Sequence, residues 1–372
     1  MKRGWCPGLY EPMPTGDGLL VRVKPPGGRL SSAALRSLAA AAAAFGNGTI
    51  ELTSRANLQV RGLAPATAPR FAAAMVAAGL ASADPAAERR RNVAATPLAG
   101  DDPAAAADAP ALAAAIEAML AATPSLSSLP PKFGFAVDGG GVLPLSAAAD
   151  ITVRTDGQRH WIGETPCAPA DTPADTPADT ASRVRDLALA GAPPARHLPP
   201  APAPAGFIAY PGTRRGAFAI GLPFGQTDAA TLHGLAALAD RFADGLLRCS
   251  PWRTLLLGGV AAPDAAALRH AVAAAGLIAD PADPRLRMAA CIGSAGCASG
   301  TVPARDTAAA LVAAHWTGIL HVSGCAKGCA HPHAAPLTLV GDAGAYNLVR
   351  DGRADAPPSL RGLAPHQVAA HL

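Results

Sequence analysis

The spacing of apolar and polar positions divides the chain into short strands and amphipathic helices. Leu19–Val23 (LLVRV) reads as a strand. Gly27 and Gly28 turn the chain, and Ser31 or Ser32 caps a helix running to Phe45, with Leu35, Leu38 and Phe45 at helical spacing and Gly46 as its stop. Asn47-Gly48 opens two extended segments, Thr49–Thr53 and Asn57–Arg61, interrupted by Ser54-Arg55-Ala56. A second helix is predicted over Pro69–Ala78, ending at Gly79. Strand, helix, strand, strand, helix is the order of a ferredoxin-like α+β half-unit.

Around this unit the pattern is less regular. Gly4–Gly18 is rich in turn formers and reads as an ordered loop, with Cys6 a lone structural thiol. Arg89–Gly100 is a basic cluster entering a strand and then a small-residue loop. Pro103–Ala122 is predicted as a helix, and Leu129–Val137 as a strand ending at Asp138 and three glycines. Ala170–Thr180 (ADTPADTPADT) is a tandem repeat, and Pro-rich sequence continues to about Gly206, as in a linker or surface excursion.

The plan then recurs. Ala217–Leu222 is a strand and Asp228–Leu246 a helix. Leu247–Gly258 corresponds to Glu51–Gly62, and Arg285–Ala290 to Arg89–Ala94, both at an offset of 196 that sets Cys291 opposite Ala95. The expected fold is α+β, a pseudo-two-fold duplication of ferredoxin-like and strand-rich half-domains. The expected units are 1–82, 83–165, a linker at 166–206, 207–282 and 283–372.

Composition narrows the function classes. The 372 residues suffice for two or more domains, and much of the 50% hydrophobic share is alanine. A net charge of +4 with scattered basic residues, and only 4% aromatics, gives no nucleic-acid platform. The longest apolar run, Leu38–Phe45, is too short for a membrane span, and Lys2 and Arg3 precede no apolar signal core. A cytoplasmic protein with reduced thiols is expected.

Those thiols carry the chemistry. Four of the seven cysteines, Cys291, Cys297, Cys325 and Cys329, form C-x5-C…C-x3-C with mostly Gly and Ala spacers. Two disulfides fit poorly with an odd cysteine total and no secretory signal, and structural zinc favours C-x2-C knuckles. Four thiolates suit a [4Fe–4S] cluster, and small spacers let backbone amides approach its sulfurs.

TSRANLQ, RRRNV, LPPKFGFAV, SPWR, the cysteine pattern and the doubled plan together resemble the sulfite/nitrite reductase superfamily, over nearly the whole chain outside the linker. The opening CPGLYEPMPTGDGLLVRV and the compact length look most like its precorrin-3B synthase branch, oxygen-dependent monooxygenases of aerobic cobalamin synthesis. The resemblance implies that Cys291, Cys297, Cys325 and Cys329 bind the cluster, with Cys329 the candidate bridge to a sirohaem iron. It matches Arg55, Arg91 and Lys132 to the reductases' anion site. The second lysine of that site falls at Gly134, which removes a charge that reduction of a small oxyanion needs.

The branch implies precorrin-3A and O2 as substrates, hydroxylation with γ-lactone formation, and electrons from an external reductase, ferredoxin or flavodoxin. Arg55, Arg61, Arg89, Arg90, Arg91 and Lys132 offer cations for the substrate's acetate and propionate arms, with Arg89 and Arg90 read as surface charges. Besides the cluster, the iron that meets O2 is either sirohaem-type or mononuclear non-haem. His321, His331 and His333 are its candidate ligands or else polar surface, and Asp342 beside Gly341 reads as a turn. A sirohaem-dependent sulfite or nitrite reductase is the alternative enzyme, and an electron-transfer or cluster-carrier protein the non-catalytic one.

Overall fold

A computed structural model describes residues 6–145, 149–168, 175–191, 203–314 and 316–372. The first unit contains β1 (Met13–Thr15), β2 (Gly18–Val23), β3 (Arg29–Ser31), α1 (Ser32–Phe45), β4 (Thr49–Leu52), β5 (Leu58–Leu63) and α2 (Ala68–Ala77). Ser31 caps α1 by accepting the Ala34 amide at 3.1 Å, and the alanine-rich sequence beyond it favours helix strongly.

Next come α3 (Pro85–Arg90), β6 (Val93–Ala95), α4 (Ala109–Ala122), β7 (Phe135–Asp138), β8 (Ile151–Thr155), β9 (His160–Ile162), β10 (Thr165–Pro166) and α5 (Pro177–Leu189). The second half repeats the order with β11 (Gly206–Ala209), β12 (Arg215–Gly221), β13 (Gln226–Asp228), α6 (Ala229–Phe242), β14 (Leu246–Cys249), β15 (Thr254–Ala261) and α7 (Ala265–Ala274). It closes with β16 (Met288–Ala290), α8 (Ala304–Ala310), β17 (Leu320–Ser323), β18 (Ala335–Asp342), β19 (Ala345–Gly352) and β20 (Leu360–Leu363).

Among the described residues these strands form four five-stranded sheets. The two ferredoxin-like sheets exchange an edge: β13 of the second half pairs with β4, and β3 of the first pairs with β14. Both share one core, in which α1 (Leu35, Leu38, Ala42) meets α6 (Leu232, Leu235, Ala239) between Val21, Val60, Phe218 and Leu257. The halves therefore fold around common apolar surface. In each remaining sheet three parallel strands, β6–β7–β8 and β16–β17–β18, are extended by antiparallel strands.

Several expectations change. The predicted linker contains α5, whose Ala181, Val184 and Ala188 are buried in the core that α4 also lines; residues 170–174 of the repeat and 192–202 lie outside the described residues. His160, fully buried on β9, fastens this helix: its Nδ1 meets Thr180 Oγ1 at 2.6 Å and its Nε2 meets Asp108 Oδ2 at 2.7 Å. A repeat of Pro and Asp hides that docking face from a compositional reading. The helix predicted from Pro103 begins at Ala109. The strand predicted from Leu129 begins only at Phe135, because Pro130 and Pro131 cannot donate to a ladder. Arg89 and Arg90 end a helix before their predicted strand begins.

The repeat also lacks a single offset. Ala56 and Arg253 occupy equivalent left-handed turns (φ 55° and 59°), one residue further apart than 196, whereas Val93 and Met288 start equivalent strands one residue closer. Cys291 consequently lies opposite Thr96, not Ala95: Thr96 N donates to Val137 O at 3.0 Å and Cys291 N to Val322 O at 3.3 Å, on matching strands.

Candidate functional site

The cysteines lie where two neighbouring parallel strands end. Cys291 follows β16, and Cys325 lies just beyond the end of β17. Because Ala290 pairs with Val322, both loops leave the same edge of the sheet. Gly324 N donates to Cys291 Sγ at 3.1 Å. A Cβ on Gly324 would stand 2.9 Å from Gly293 Cα, and one on Gly300 would stand 2.4 Å from the Gly293 carbonyl carbon, so the cradle requires glycine at these approaches.

Burial pushes the Cys329 thiol up, and the negative charges of Cys291, Cys325 and Cys297 push it further. Cys291, Cys325 and Cys297 are thus each within electrostatic reach of Cys329. Among the described residues no three His, Cys, Asp or Glu side chains are arranged around a single metal ion. Three thiols within reach of a fourth, with an amide aimed at one sulfur, fit a multi-iron cluster in which each iron takes one thiolate.

The first half grips this loop. Buried Arg61 on β5 donates twice to Asp17, at 3.0 Å each, and through Nη2 to Gly296 O at 2.6 Å, beside Cys297. Glu51 stands 3.5 Å from Arg61 and 2.5 Å from Arg305 on α8. Burial alone would lower the Arg61 guanidinium, but Glu51 and Asp17 outweigh it and leave it raised. Expected in the carboxylate pocket, Arg61 is instead engaged in this buried network, which ties β1, β4 and β5 to the cysteine loop.

Next to it lies a basic face. Val21 and Val23 enter the core, so Arg22 and Lys24 emerge on the opposite side of β2, where Arg22 pairs with Gln59. Arg22 Nε is buried without a partner. Lys24 Nζ donates to the carbonyls of Glu88 (2.9 Å) and Arg89 (3.0 Å), and burial lowers it to about 8 against the pull of Glu88. Arg55 Nη1 donates to Lys132 O at 2.8 Å; burial lowers its guanidinium and the nearby Cys6 opposes that. In the second half the equivalent face carries Ala217, Ala219 and Leu256, covered by Leu98 and Tyr210. Of the cations of that second sheet, Arg248 pairs with Asp244, and Arg29 of β3 donates to the Ala99 carbonyl.

The structure thus joins Arg55 to the Lys132 backbone and adds Arg22, Lys24 and Cys6. Their signal in the sequence is the alternation of Val21 and Val23 with Arg22 and Lys24. Arg91 points at Glu88 (2.9 Å) and the Leu80 carbonyl (3.1 Å). Arg90 is buried and closes α4 by donating to Leu120 O and Ala121 O, so it is neither surface nor pocket. Arg89 is exposed. Gly134 is buried; its amide donates to Asp150 Oδ2 at 2.8 Å, and a Cβ there would stand 3.1 Å from Asn92 Nδ2.

Three imidazoles run beside the second cysteine loop. His321 is wholly buried with neither ring nitrogen partnered, and burial, reinforced by His331 and Arg253, lowers it to about 3. The rings of His321 and His331 are 5.7 Å apart, and those of His331 and His333 5.6 Å. Asp342 sits at the turn from β18 to β19, where its carboxylate accepts from Asn347 Nδ2 at 3.3 Å.

Comparison with known proteins bears on this arrangement. The family model described as the nitrite/sulfite reductase ferredoxin-like half domain matches twice, at residues 11–78 and 212–275. A precorrin-3B synthase from Sinorhizobium sp is 35% identical over 96% of this chain and 85% of its own length. A ferredoxin–nitrite reductase from Synechococcus elongatus is 30% identical over 37% of this chain and 27% of its own. The solved structure of the Mycobacterium tuberculosis NirA protein superposes with a TM-score of 0.66 at 19% identity, covering 95% of this chain and 79% of NirA. That likeness establishes the duplicated α+β fold.

Proposed function

The chain belongs to the precorrin-3B synthase family, and on that basis we propose that it is an oxygen-dependent monooxygenase acting on precorrin-3A. It hydroxylates the macrocycle and closes a γ-lactone with an acetate arm, drawing two electrons from an external reductase, ferredoxin or flavodoxin. Cys291, Cys297, Cys325 and Cys329 are the residues that would hold a [4Fe–4S] cluster, with Cys329 the candidate bridge to a sirohaem-type iron; a mononuclear non-haem iron is the alternative companion. Such a cluster, when bound, supplies electrons one at a time.

The remaining work falls to side chains. Arg55, Lys132, Arg22 and Lys24 form a cationic face for carboxylate arms, where charge-assisted hydrogen bonds fix position as well as affinity. Arg91 reaches the face through Glu88 and acts by holding α3 in place. The Arg61–Asp17 pair keeps the loop carrying Cys297 against the sheet bearing the cationic face. In this division the units at 1–82 and 283–372 meet the substrate, and 83–165 contributes Lys132.

Gly134 is the observation that favours this reading over oxyanion reduction. The anion-site lysine of the reductases is missing there, and Asn92 crowds the position against a replacement. The test is turnover of precorrin-3A with dioxygen and a reductant. Substrate should disappear under air and persist under argon, and brisk reduction of sulfite or nitrite with precorrin-3A untouched would contradict the proposal.

A further inference from the structure

Arg253 is the side chain whose placement the proposed function leaves unexplained. It occupies a left-handed conformation (φ 59°) that a long side chain rarely adopts, at the turn between β14 and β15. Its first-half equivalent is Ala56, so the duplication supplies the turn and only the second half uses it to aim a guanidinium.

The side chain is threaded through a gap made for it. Gly225 (φ 73°) lies alongside, and a Cβ there would stand 2.7 Å from Arg253 Cδ, leaving glycine as the residue that admits the stem. At the far end Nη2 donates to the Ala330 carbonyl at 2.7 Å, the residue directly after Cys329. Arg61 does the same beside Cys297 through Gly296 O, but Arg61 is balanced by Asp17 and Glu51. Among the described residues no ion pair to Arg253 is found. The charges that act on it are Glu51, already shared by Arg61 and Arg305, and Arg305 itself.

We propose that Arg253 is a positioning residue: it fixes Cys329 through the Ala330 carbonyl, and its unbalanced charge raises the reduction potential of a cluster held by the four cysteines. The inference rests on the cluster assignment above. Adding an electron makes a cluster more negative, so a nearby cation stabilises the reduced form, and net charge and hydrogen bonding are the protein's main levers on that potential.

The experiment is a redox titration of the whole protein, followed by optical and EPR spectra, for the wild type, Arg253→Lys and Arg253→Gln, with iron and acid-labile sulfide assayed in each. The lysine variant should stay near the wild-type potential. The glutamine variant should fall by roughly tenfold in the one-electron equilibrium, which is ~59 mV. Loss of the cluster in the glutamine variant alone also supports the role. Equal potentials in all three proteins, or cluster loss in both variants, would overturn it while leaving the proposed function standing. A wild-type chain without iron and sulfide would overturn both.

Discussion

The amide of Gly324 points at the sulfur of Cys291 across 3.1 Å. In the first half the amide of Gly139 points at Thr96 Oγ1 across 2.8 Å, in the same loop geometry. There the neighbouring amides are taken up by carboxylates: Asp138 accepts from Gly140 N and Leu145 N, and Asp102 from Ala104 N and Val142 N. One scaffold, used twice, closes its loop with oxygen in one half and presents sulfur in the other. The chain therefore carries one cysteine quartet, whose Cys297 loop is held by Arg61 of the first-half sheet.

Replacing Cys325 by serine should strip the protein of its cluster. Iron and acid-labile sulfide per chain should fall at least as far as the ~10–100-fold affinity loss that follows removal of an outer partner of a metal ligand. Normal iron and sulfide in Cys325→Ser would refute its role as a ligand.

Arg55→Ala should weaken binding of the polycarboxylate and spare the cluster. A charge-assisted hydrogen bond contributes about 1.5–3 kcal/mol, so the dissociation constant should rise roughly 10–100-fold in a fluorescence titration. An unchanged constant would remove Arg55 from the pocket.

The sequence and the structure agree most where local chemistry decides. Ser31 caps α1, Gly27 and Gly28 turn the chain, and Ser54-Arg55-Ala56 breaks two strands as their residue types require. The cysteine spacing likewise directs attention to two loops that leave the same edge of one sheet. What the spacing conceals is partnership. Arg61 and Arg90 look like pocket or surface cations, yet Asp17 claims one and the end of α4 the other. Lys24 and Arg22 look like ordinary strand residues until Val21 and Val23 are seen to occupy the core. Helix α5 hides in a repeat because its anchor, His160, comes from a distant strand.

Lys24 should leave a signature in the pH dependence of stability. Its ammonium titrates near 8 in the folded chain against 10.5 when exposed, so between those values the unfolded chain binds a proton that the folded chain has released. Stability from this group therefore rises with pH across that window and is lost as pH falls to about 8. Urea midpoints at pH 8 and 10 should show the rise in the wild type and a smaller one in Lys24→Met; equal slopes would contradict the burial of this charge.

Asp108 should prove to be the clasp of α5. It accepts from Thr155 Oγ1 at 2.9 Å and meets buried His160 Nε2 at 2.7 Å, so Asp108→Ala removes the carboxylate partner of two buried groups. A loss of about 1–3 kcal/mol is expected by urea denaturation, with faster proteolysis near Pro177–Leu189. Wild-type stability and protease resistance would show that the helix is held by its apolar face alone.

The most direct test of the central claim, that the cysteine quartet and the cationic face serve oxygenation of a tetrapyrrole, is mass spectrometry of the product formed from precorrin-3A under isotopically labelled dioxygen. The account expects a lactone product carrying one labelled oxygen atom, formed only when reductant is present. A product without label, or unaltered precorrin-3A beside active reduction of sulfite, would contradict it.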